Sequence, residues 1–167
     1  MRAKLALPRR LRHMEANGNR NTGMTPNFIR LADGFFVSPQ IGPEDVAAAK
    51  GLGVTLIINN RPDGEEFGQP KSAEIEAAAR AAGLDYVAIP VSGMGIGPAH
   101  LDAFDAAVAR REGGVLAFCR SGTRSTVLRA FARARAGEPV EKIVGEAAEA
   151  GYNIAGQRRA LEEARRS

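Results

Sequence analysis

Short apolar runs alternate with helical patterns along most of the chain. The runs lie at 34–38, 54–58, 86–91 and 115–118, and a continuous β-branched run such as the second is typical of a strand covered on both faces. Helical patterns separate or follow the runs, at 42–53, 72–83, 98–114, 124–137, 138–151 and 156–166. This order predicts a three-layer α/β fold, in which a mainly parallel four-stranded sheet carries helices on both faces.

Ligand sites in such folds form at the edge of the sheet where the carboxyl ends of the parallel strands meet. The segments that follow the last three runs are 59–70, 91–97 and 119–124. The predicted topology brings these three loops together, and we expect any functional site to lie between them.

Basic charge is concentrated at the N-terminus. Residues 1–30 contain seven Lys or Arg and one acidic residue, whereas residues 31–167 contain sixteen basic and eighteen acidic residues. We interpret residues 1–27 as a basic, disordered extension and 28–167 as one folded domain. The alternatives for the extension are a transit-like or membrane-surface peptide, or a true start at Met14 or Met24. The slightly acidic body argues against nucleic-acid binding.

The single cysteine of the chain excludes an internal disulfide framework and a cysteine-based zinc site. No apolar run approaches the ~20 residues that a bilayer span needs. We therefore expect a cytoplasmic protein without stable membrane insertion, without a metal and without an organic cofactor.

The cysteine, Cys119, directly follows the fourth apolar run, and a helical pattern begins near Arg124. A loop in this position turns backbone N–H groups inward, and the helix N-terminus adds positive potential. Gly122 suits such a tight loop. The same field stabilises a thiolate, so Cys119 is predicted to be a nucleophile, and Arg124 can hold an oxyanion through two donors.

A lone cysteine is often only a small buried hydrophobe. The position of Cys119 at the carboxyl edge of the sheet, with glycine and arginine at tight spacing before a helix, favours the nucleophile instead. Arg120 adds positive field, and Ser125 or Thr126 could donate a hydrogen bond to the thiolate. The residues expected to bind the anion in this loop are Arg120, Ser121, Gly122, Thr123 and Ser125.

The loop after the second run begins with polar side chains at the carboxyl end of a predicted strand. Asn59, Asn60 and Arg61 lie there, and we expect Asn60 and Arg61 to contact the substrate. Asp63 is a candidate general acid, but Pro-Asp-Gly is also a turn signature. Glu65 and Glu66 could supply an acid from the same loop. For His100 an ordinary role at a helix start is favoured over a catalytic one.

Four segments together resemble a known family: "CRSGTRS", "INNRPDGEE", "SAEIEAAARAAGLDYVAIPV" and "AEAGYNIAG". They are similar to the beta-lactamase hydrolase-like protein family, phosphatase-like domain, and the resemblance runs from about Leu31 to Leu161. It implies the fold of cysteine-dependent tyrosine and dual-specificity phosphatases, related to rhodanese-like sulfurtransferases. Because some members accompany sulfide- and persulfide-handling enzymes, it also implies a persulfide dioxygenase or sulfide-oxidising enzyme as a partner.

Three departures from the phosphatase pattern together favour sulfur over phosphorus chemistry. Phe118 stands where that pattern has histidine, and four rather than five residues separate Cys119 from Arg124. Loop 91–97, where a phosphatase usually carries its general acid, has no Asp or Glu.

We therefore predict an enzyme that acts on a small oxyanion or a persulfide and transfers sulfur through a persulfide on Cys119. The alternative is phosphomonoester hydrolysis through a phosphocysteine intermediate. A third interpretation is an oxyanion-binding module without catalysis, which the presence of both Cys119 and Arg124 disfavours.

Overall fold

The computed structural model describes residues 26–167, which contain a five-stranded sheet. The strands are β1 (Ile29–Ala32), β2 (Phe35–Ser38), β3 (Val54–Asn59), β4 (Asp85–Ala88) and β5 (Gly114–Phe118). Their order across the sheet is β1-β2-β5-β3-β4. Neighbouring strands run parallel except for β1, which pairs antiparallel with β2.

The predicted sheet lacked one strand, β1, because the sequence of β1 does not show a continuous apolar run. Its sequence, IRLA, is only four residues long, and only Leu31 is buried. A tight turn at Gly34, whose φ is 72°, joins it to β2 as a hairpin. A short, half-exposed edge strand lacks the continuous apolar run that marks the buried parallel strands, so its pairing with β2 becomes visible only in the structure.

Six α-helices connect or follow the strands in residues 26–167. They are α1 (Val46–Gly51), α2 (Ser72–Ala81), α3 (Pro98–Ala109), α4 (Thr123–Arg135), α5 (Val140–Glu149) and α6 (Arg158–Arg166), with 3-10 turns at Pro43–Asp45 and Ala155–Gln157. Each of the six predicted helical segments corresponds to an α-helix of the structure, with bounds that differ by a few residues. No helix of this part of the chain has the length and apolar character needed to cross a membrane.

The sheet separates two hydrophobic cores, because alternate residues of its strands face opposite sides. Val115 and Ala117 of β5 pack in the core beneath α3, α4, α5 and α6, whereas Leu116 and Phe118 pack in the core beneath α1 and α2. All four side chains are fully buried. β5 is therefore enclosed on both faces, as the parallel-sheet interpretation requires.

The strand register places three strand ends at the same level. Phe118, the last residue of β5, lies opposite Ser38 of β2 on one side and Asn59 of β3 on the other. Cys119 follows Phe118, so the segments leaving β2, β3 and β5 all begin beside the cysteine.

Leu128→Ala should lower the free energy of unfolding by about 2–5 kcal/mol, since it removes a fully buried side chain and leaves a cavity between α4 and the sheet. Urea denaturation measures the change. Met94→Ala is the matched control, because the Met94 side chain is exposed and its loss should alter stability by no more than about 0.5 kcal/mol. Equal effects of the two substitutions would contradict the described core.

Candidate active site

The turn from β5 into α4 holds the cysteine sulfur. The N–H of Gly122 donates a hydrogen bond to Cys119 Sγ over 3.1 Å, and the Cys119 side chain is buried. Gly122 has a φ of 92°, a left-handed conformation that residues with a Cβ resist. A Cβ at this position would also collide with the hydroxyl of Tyr152. Glycine is therefore required here for both its conformation and its lack of a side chain.

The N-terminus of α4 lies directly behind this turn. The helix begins at Thr123, and the Gly122 carbonyl accepts hydrogen bonds from the Thr126 N–H at 3.0 Å and the Thr126 hydroxyl at 2.8 Å. The predicted strand–loop–helix arrangement around Cys119 is thus present. The positive end of the helix favours negative charge on the sulfur and on a bound anion.

Three side chains at the turn from β5 into α4 are exposed to solvent. Arg120, Ser121 and Thr123 are all exposed, and the Ser121 hydroxyl donates to Thr123 Oγ1 over 3.0 Å. Their predicted contacts with a substrate anion stay predictions.

Two predicted contact residues bind each other in the interior. The Ser125 hydroxyl donates to Asn60 Oδ1 over 2.8 Å, and the Asn60 amide donates to the Ile89 carbonyl over 2.9 Å. Both side chains are fully buried. Asn59 is similarly occupied, because its amide donates to the Tyr86 hydroxyl. These residues tie the loops together, and direct substrate contact by Asn60 or Ser125 stays a prediction.

Arg124 bridges two loops at the mouth of the site. Its Nη1 and Nη2 donate to the two carboxylate oxygens of Glu65, each over 2.8 Å, and Nη1 also donates to the Val91 carbonyl over 2.8 Å. The hydrogen bonds to Glu65 are the main cause that raises the pKa of Arg124, and Cys119 adds to it. Arg124 therefore lies beside the thiol, with its two-donor face already occupied by a carboxylate.

The Arg61 side chain is buried beneath these contacts. It is only 2% exposed, and it donates to Glu65 Oε1 over 2.9 Å, Glu66 Oε2 over 3.0 Å and Gln40 Oε1 over 3.0 Å. Arg120 reaches the other oxygen of Glu66 over 2.6 Å. In the structure Arg61 holds the carboxylates of Glu65 and Glu66, and its predicted contact with a substrate stays a prediction.

Glu65 is held as an anion. The hydrogen bonds from Arg124, and then those from Arg61, lower the pKa of Glu65 from 4.5 to about 2 against the opposing effect of burial. Arg61 is also the main cause that lowers the pKa of Glu66. In this arrangement both carboxylates are hydrogen-bond acceptors at neutral pH and have no proton to donate.

Asp63 and His100 serve the local backbone. Asp63 Oδ1 accepts a hydrogen bond from the Ser72 N–H over 2.9 Å, at the start of α2. His100 Nδ1 accepts from the Gly97 N–H over 2.9 Å, and its Nε2 lies 3.0 Å from the Pro90 carbonyl. The contact of Asp63 is with the N-terminus of α2, and its role as a general acid stays a prediction. The contacts of His100 agree with the helix-start interpretation.

Sequence reasoning missed two residues of the site. Gln40 contacts Arg61, and its N–H donates to the Arg120 carbonyl over 3.2 Å. Its place just after the first apolar run was a usable signal, since that run also ends at the site. The Tyr152 hydroxyl donates to the Ser121 carbonyl over 3.0 Å, and burial, with Cys119 adding to it, raises the pKa of Tyr152 to about 12. Tyr152 lies far along the chain and gave no such signal.

Residues 26–167 contain no group of three or more His, Cys, Asp or Glu side chains arranged to hold a metal ion.

Solved structures that match this architecture include proteins described as phosphatases. A phosphatase candidate from Neisseria meningitidis Z2491 matches with a TM-score of 0.73 and 36% identity, over 82% of this chain and 97% of that one. The core catalytic domain of the PP-IP phosphatase SIW14 from S. cerevisiae, in complex with citrate, matches with a TM-score of 0.61 over 87% of this chain and 93% of its own. Its identity is 19%, so that likeness concerns the fold alone.

Fold and site thus define a phosphatase-like, cysteine-dependent enzyme. The model of the beta-lactamase hydrolase-like protein family, phosphatase-like domain, matches residues 27–136, and the chain belongs to this family. A beta-lactamase hydrolase-like protein from Agrobacterium fabrum C58 is 42% identical over 100 residues, which are 60% of this chain and 23% of that protein. The chain therefore spans less than a quarter of this curated relative.

The predicted family and the cysteine phosphatase-like fold are confirmed by these matches. The comparisons lend more support to the phosphatase alternative than to sulfur transfer, because the solved neighbours are described as phosphatases.

Gly122→Ala should lower the free energy of unfolding by about 1–3 kcal/mol, because alanine would adopt a left-handed φ and its Cβ would collide with Tyr152. Gly145→Ala in the interior of α5 is the matched control. An added Cβ there meets nothing within 4 Å, so the same change should stabilise the protein by about 0.4–1 kcal/mol. Chemical denaturation measures both, and destabilisation of similar size in both would refute the special geometry of Gly122.

Glu65→Gln should tighten sulfate binding by about tenfold, since the carboxylate that occupies Arg124 would be replaced by a neutral amide. Titration calorimetry at neutral pH measures the affinity. Glu76→Gln removes a comparable exposed Arg–Glu pair on α2 and should leave the affinity unchanged. Unchanged affinity in Glu65→Gln would show that anions do not bind at Arg124.

Proposed function

We propose that the protein transfers sulfur atoms through a persulfide formed on Cys119. The observation that carries the proposal is the state of the carboxyl groups around the thiol. Asp63 is hydrogen-bonded to the start of α2, Glu65 is held as an anion, and loop 91–97 contains no Asp or Glu. Hydrolysis of a phosphomonoester needs a proton for the departing alkoxide, whereas sulfite or a thiolate leaves without one.

The short loop supports the same chemistry. Four residues separate Cys119 from Arg124, and the Gly122 N–H already points at the sulfur from 3.1 Å. A ring of N–H groups this small suits a single terminal sulfur better than a phosphoryl group with three oxygens. The N-terminus of α4 stabilises the negative charge of the persulfide.

Each step of the proposed cycle conserves electrons. The Cys119 thiolate attacks the outer sulfur of thiosulfate or of an organic persulfide. The donor's S–S bond breaks, and sulfite or a thiolate leaves with the electron pair. An acceptor thiolate or cyanide then attacks the terminal sulfur, and the Cys119 thiolate is regenerated. The cycle requires no external oxidant or reductant.

Phosphomonoester hydrolysis is the second candidate, and the similarity to phosphatase structures supports it. Cys119 would attack phosphorus, the alkoxide would leave, and water would hydrolyse the phosphocysteine. Asp63 or Glu65 would then have to release its present partner and take up a proton before it could act as the acid. Because such protonation commonly contributes ~100-fold or more, aryl phosphate turnover should be slow.

The cellular setting is part of the proposal. A single cysteine used as a nucleophile suits the reducing cytoplasm, where we place the protein. As partner we propose a persulfide dioxygenase or another sulfide-oxidising enzyme, which would supply or consume the transferred sulfur. The curated relative extends well beyond the segment matched here. We propose the same sulfur transfer for any longer protein that contains this segment.

Incubation with thiosulfate or glutathione persulfide should add the mass of one sulfur atom to the protein. Intact-mass spectrometry detects the adduct, and cyanide or a thiol should remove it. Cys119→Ser should acquire no adduct, whereas Ser167→Ala, which alters an exposed hydroxyl after the end of α6 and far from the loop in sequence, should still acquire it.

The opposite result identifies the second candidate. Brisk aryl phosphate hydrolysis that depends on Cys119 and is abolished by Asp63→Asn or Glu65→Gln, together with no sulfur adduct, would refute sulfur transfer. Activity of either kind retained in Cys119→Ser would place the chemistry elsewhere, and binding of anions with neither activity would identify an oxyanion-binding module.

A further inference from the structure

A second cavity lies at the end of the sheet remote from Cys119. Its volume is about 330 Å³, and it is lined by Phe35 of β2, by Phe104 and Val108 of α3, and by Arg129, Ala132 and Arg133 of α4, among others. Phe35 pairs with Val115 near the start of β5, whereas Cys119 follows the end of that strand. The length of β5, about 3.3 Å per residue, therefore separates the two sites.

One wall of the cavity is apolar and aromatic. The rings of Phe35 and Phe104 lie with centroids 6.1 Å apart at 48°, and Val108 and Ala132 extend the same surface. Phe35 and Phe104 are only 6% and 4% exposed, so a small part of each ring reaches the cavity. A volume of this size falls at the lower end of the range for small-molecule sites, ~300–1,000 Å³. The cavity can therefore accept the apolar body of a compact ligand.

Arg129 supplies an incompletely paired positive charge beside this wall. Its side chain is 15% exposed, and its guanidinium lies 4.8 Å from the centroid of the Phe35 ring. Within residues 26–167 its nearest carboxylate is that of Glu146 at 3.9 Å, and Glu146 is bound more closely by Arg133. Burial, and then the charge of Arg133, lower the pKa of Arg129 to about 10. A guanidinium has five N–H donors, and none of those of Arg129 donates a hydrogen bond to a residue of the described chain.

The carboxylates around the cavity do not supply the missing acceptor. Asp105 accepts a hydrogen bond from Arg135 over 2.7 Å, and Glu138 is paired with Arg133. Asp33 has a side chain that is 95% exposed. Asp33 is thus a solvated charge, whereas the Arg129 guanidinium is largely buried and has no hydrogen-bonded counter-ion among the described residues.

We infer that this cavity is a binding site for a small aromatic carboxylate, separate from the Cys119 site. The carboxylate would accept two hydrogen bonds from Arg129, in the planar fork geometry that favours such pairs. The aromatic ring would lie against Phe35 and Phe104. The site does not depend on either proposed chemistry of Cys119, because no residue of 119–124 lines the cavity.

Benzoate is the probe, and isothermal titration calorimetry measures its binding. Wild-type protein should bind benzoate, and should bind the neutral benzamide at least about tenfold more weakly because the charge-assisted hydrogen bonds are lost. Arg129→Met keeps the length and apolar packing of the side chain and should weaken benzoate binding to the same degree. Arg159→Met, at an arginine whose side chain is 94% exposed on α6, should leave it unchanged.

Two further variants separate this site from the Cys119 site and from an effect on folding. Arg124→Met should leave benzoate affinity unchanged, since Arg124 lies at the opposite end of the sheet. Ala136→Leu, which projects into the cavity and leaves Arg129 in place, should abolish binding while circular dichroism shows an intact fold. Absence of binding to wild type, equal affinity in Arg129→Met, or loss of binding in Arg124→Met alone would overturn the inference.

Discussion

The connection from β5 to α4 is the constraint on which the site depends. β5 is enclosed on both faces, so the position of its carboxyl end is fixed by packing. α4 begins at Thr123, four positions after Cys119. Such a short connection is possible because Gly122 adopts a left-handed φ and its N–H donates to the sulfur. The absence of a Cβ at Gly122 leaves room for the Tyr152 hydroxyl. A fully buried thiol thus meets both a backbone donor and the positive end of a helix.

Charge around this turn is almost balanced within the protein. Arg61, Arg120 and Arg124 face the carboxylates of Glu65 and Glu66, so the mouth of the site is a closed set of ion pairs rather than an open positive pocket. An incoming oxyanion must compete with Glu65 for the two donors of Arg124. Competition of this kind favours substrates whose reactive end is small, such as the terminal sulfur of a persulfide or of thiosulfate, and it links the geometry of the site to the proposed preference for sulfur.

A shared fold does not decide between the two chemistries. Cysteine-dependent phosphatases and sulfur carriers both need a thiolate and a cradle of N–H groups, and besides the size of that cradle they differ in whether a proton reaches the leaving group. That difference resides in side chains on the neighbouring loops, where Asp63 points to α2 and Glu65 to Arg124. Membership of the family therefore establishes the class of enzyme, and the loop carboxylates carry the argument about its reaction.

The sequence by itself determined the features that depend on local order. Continuous apolar runs identified four of the five strands, and the spacing of Cys119, Gly122 and Arg124 identified the turn that joins a strand to a helix around the thiol. These patterns reflect burial and backbone geometry of adjacent residues. Only the tertiary structure decided which partners distant side chains take. It paired β1 with β2 at the sheet edge, turned Ser125 towards Asn60, and placed Gln40 and Tyr152 beside the loop. Hydrogen bonds between residues far apart in the chain depend on the packed arrangement of whole elements, and no short stretch of sequence encodes that arrangement.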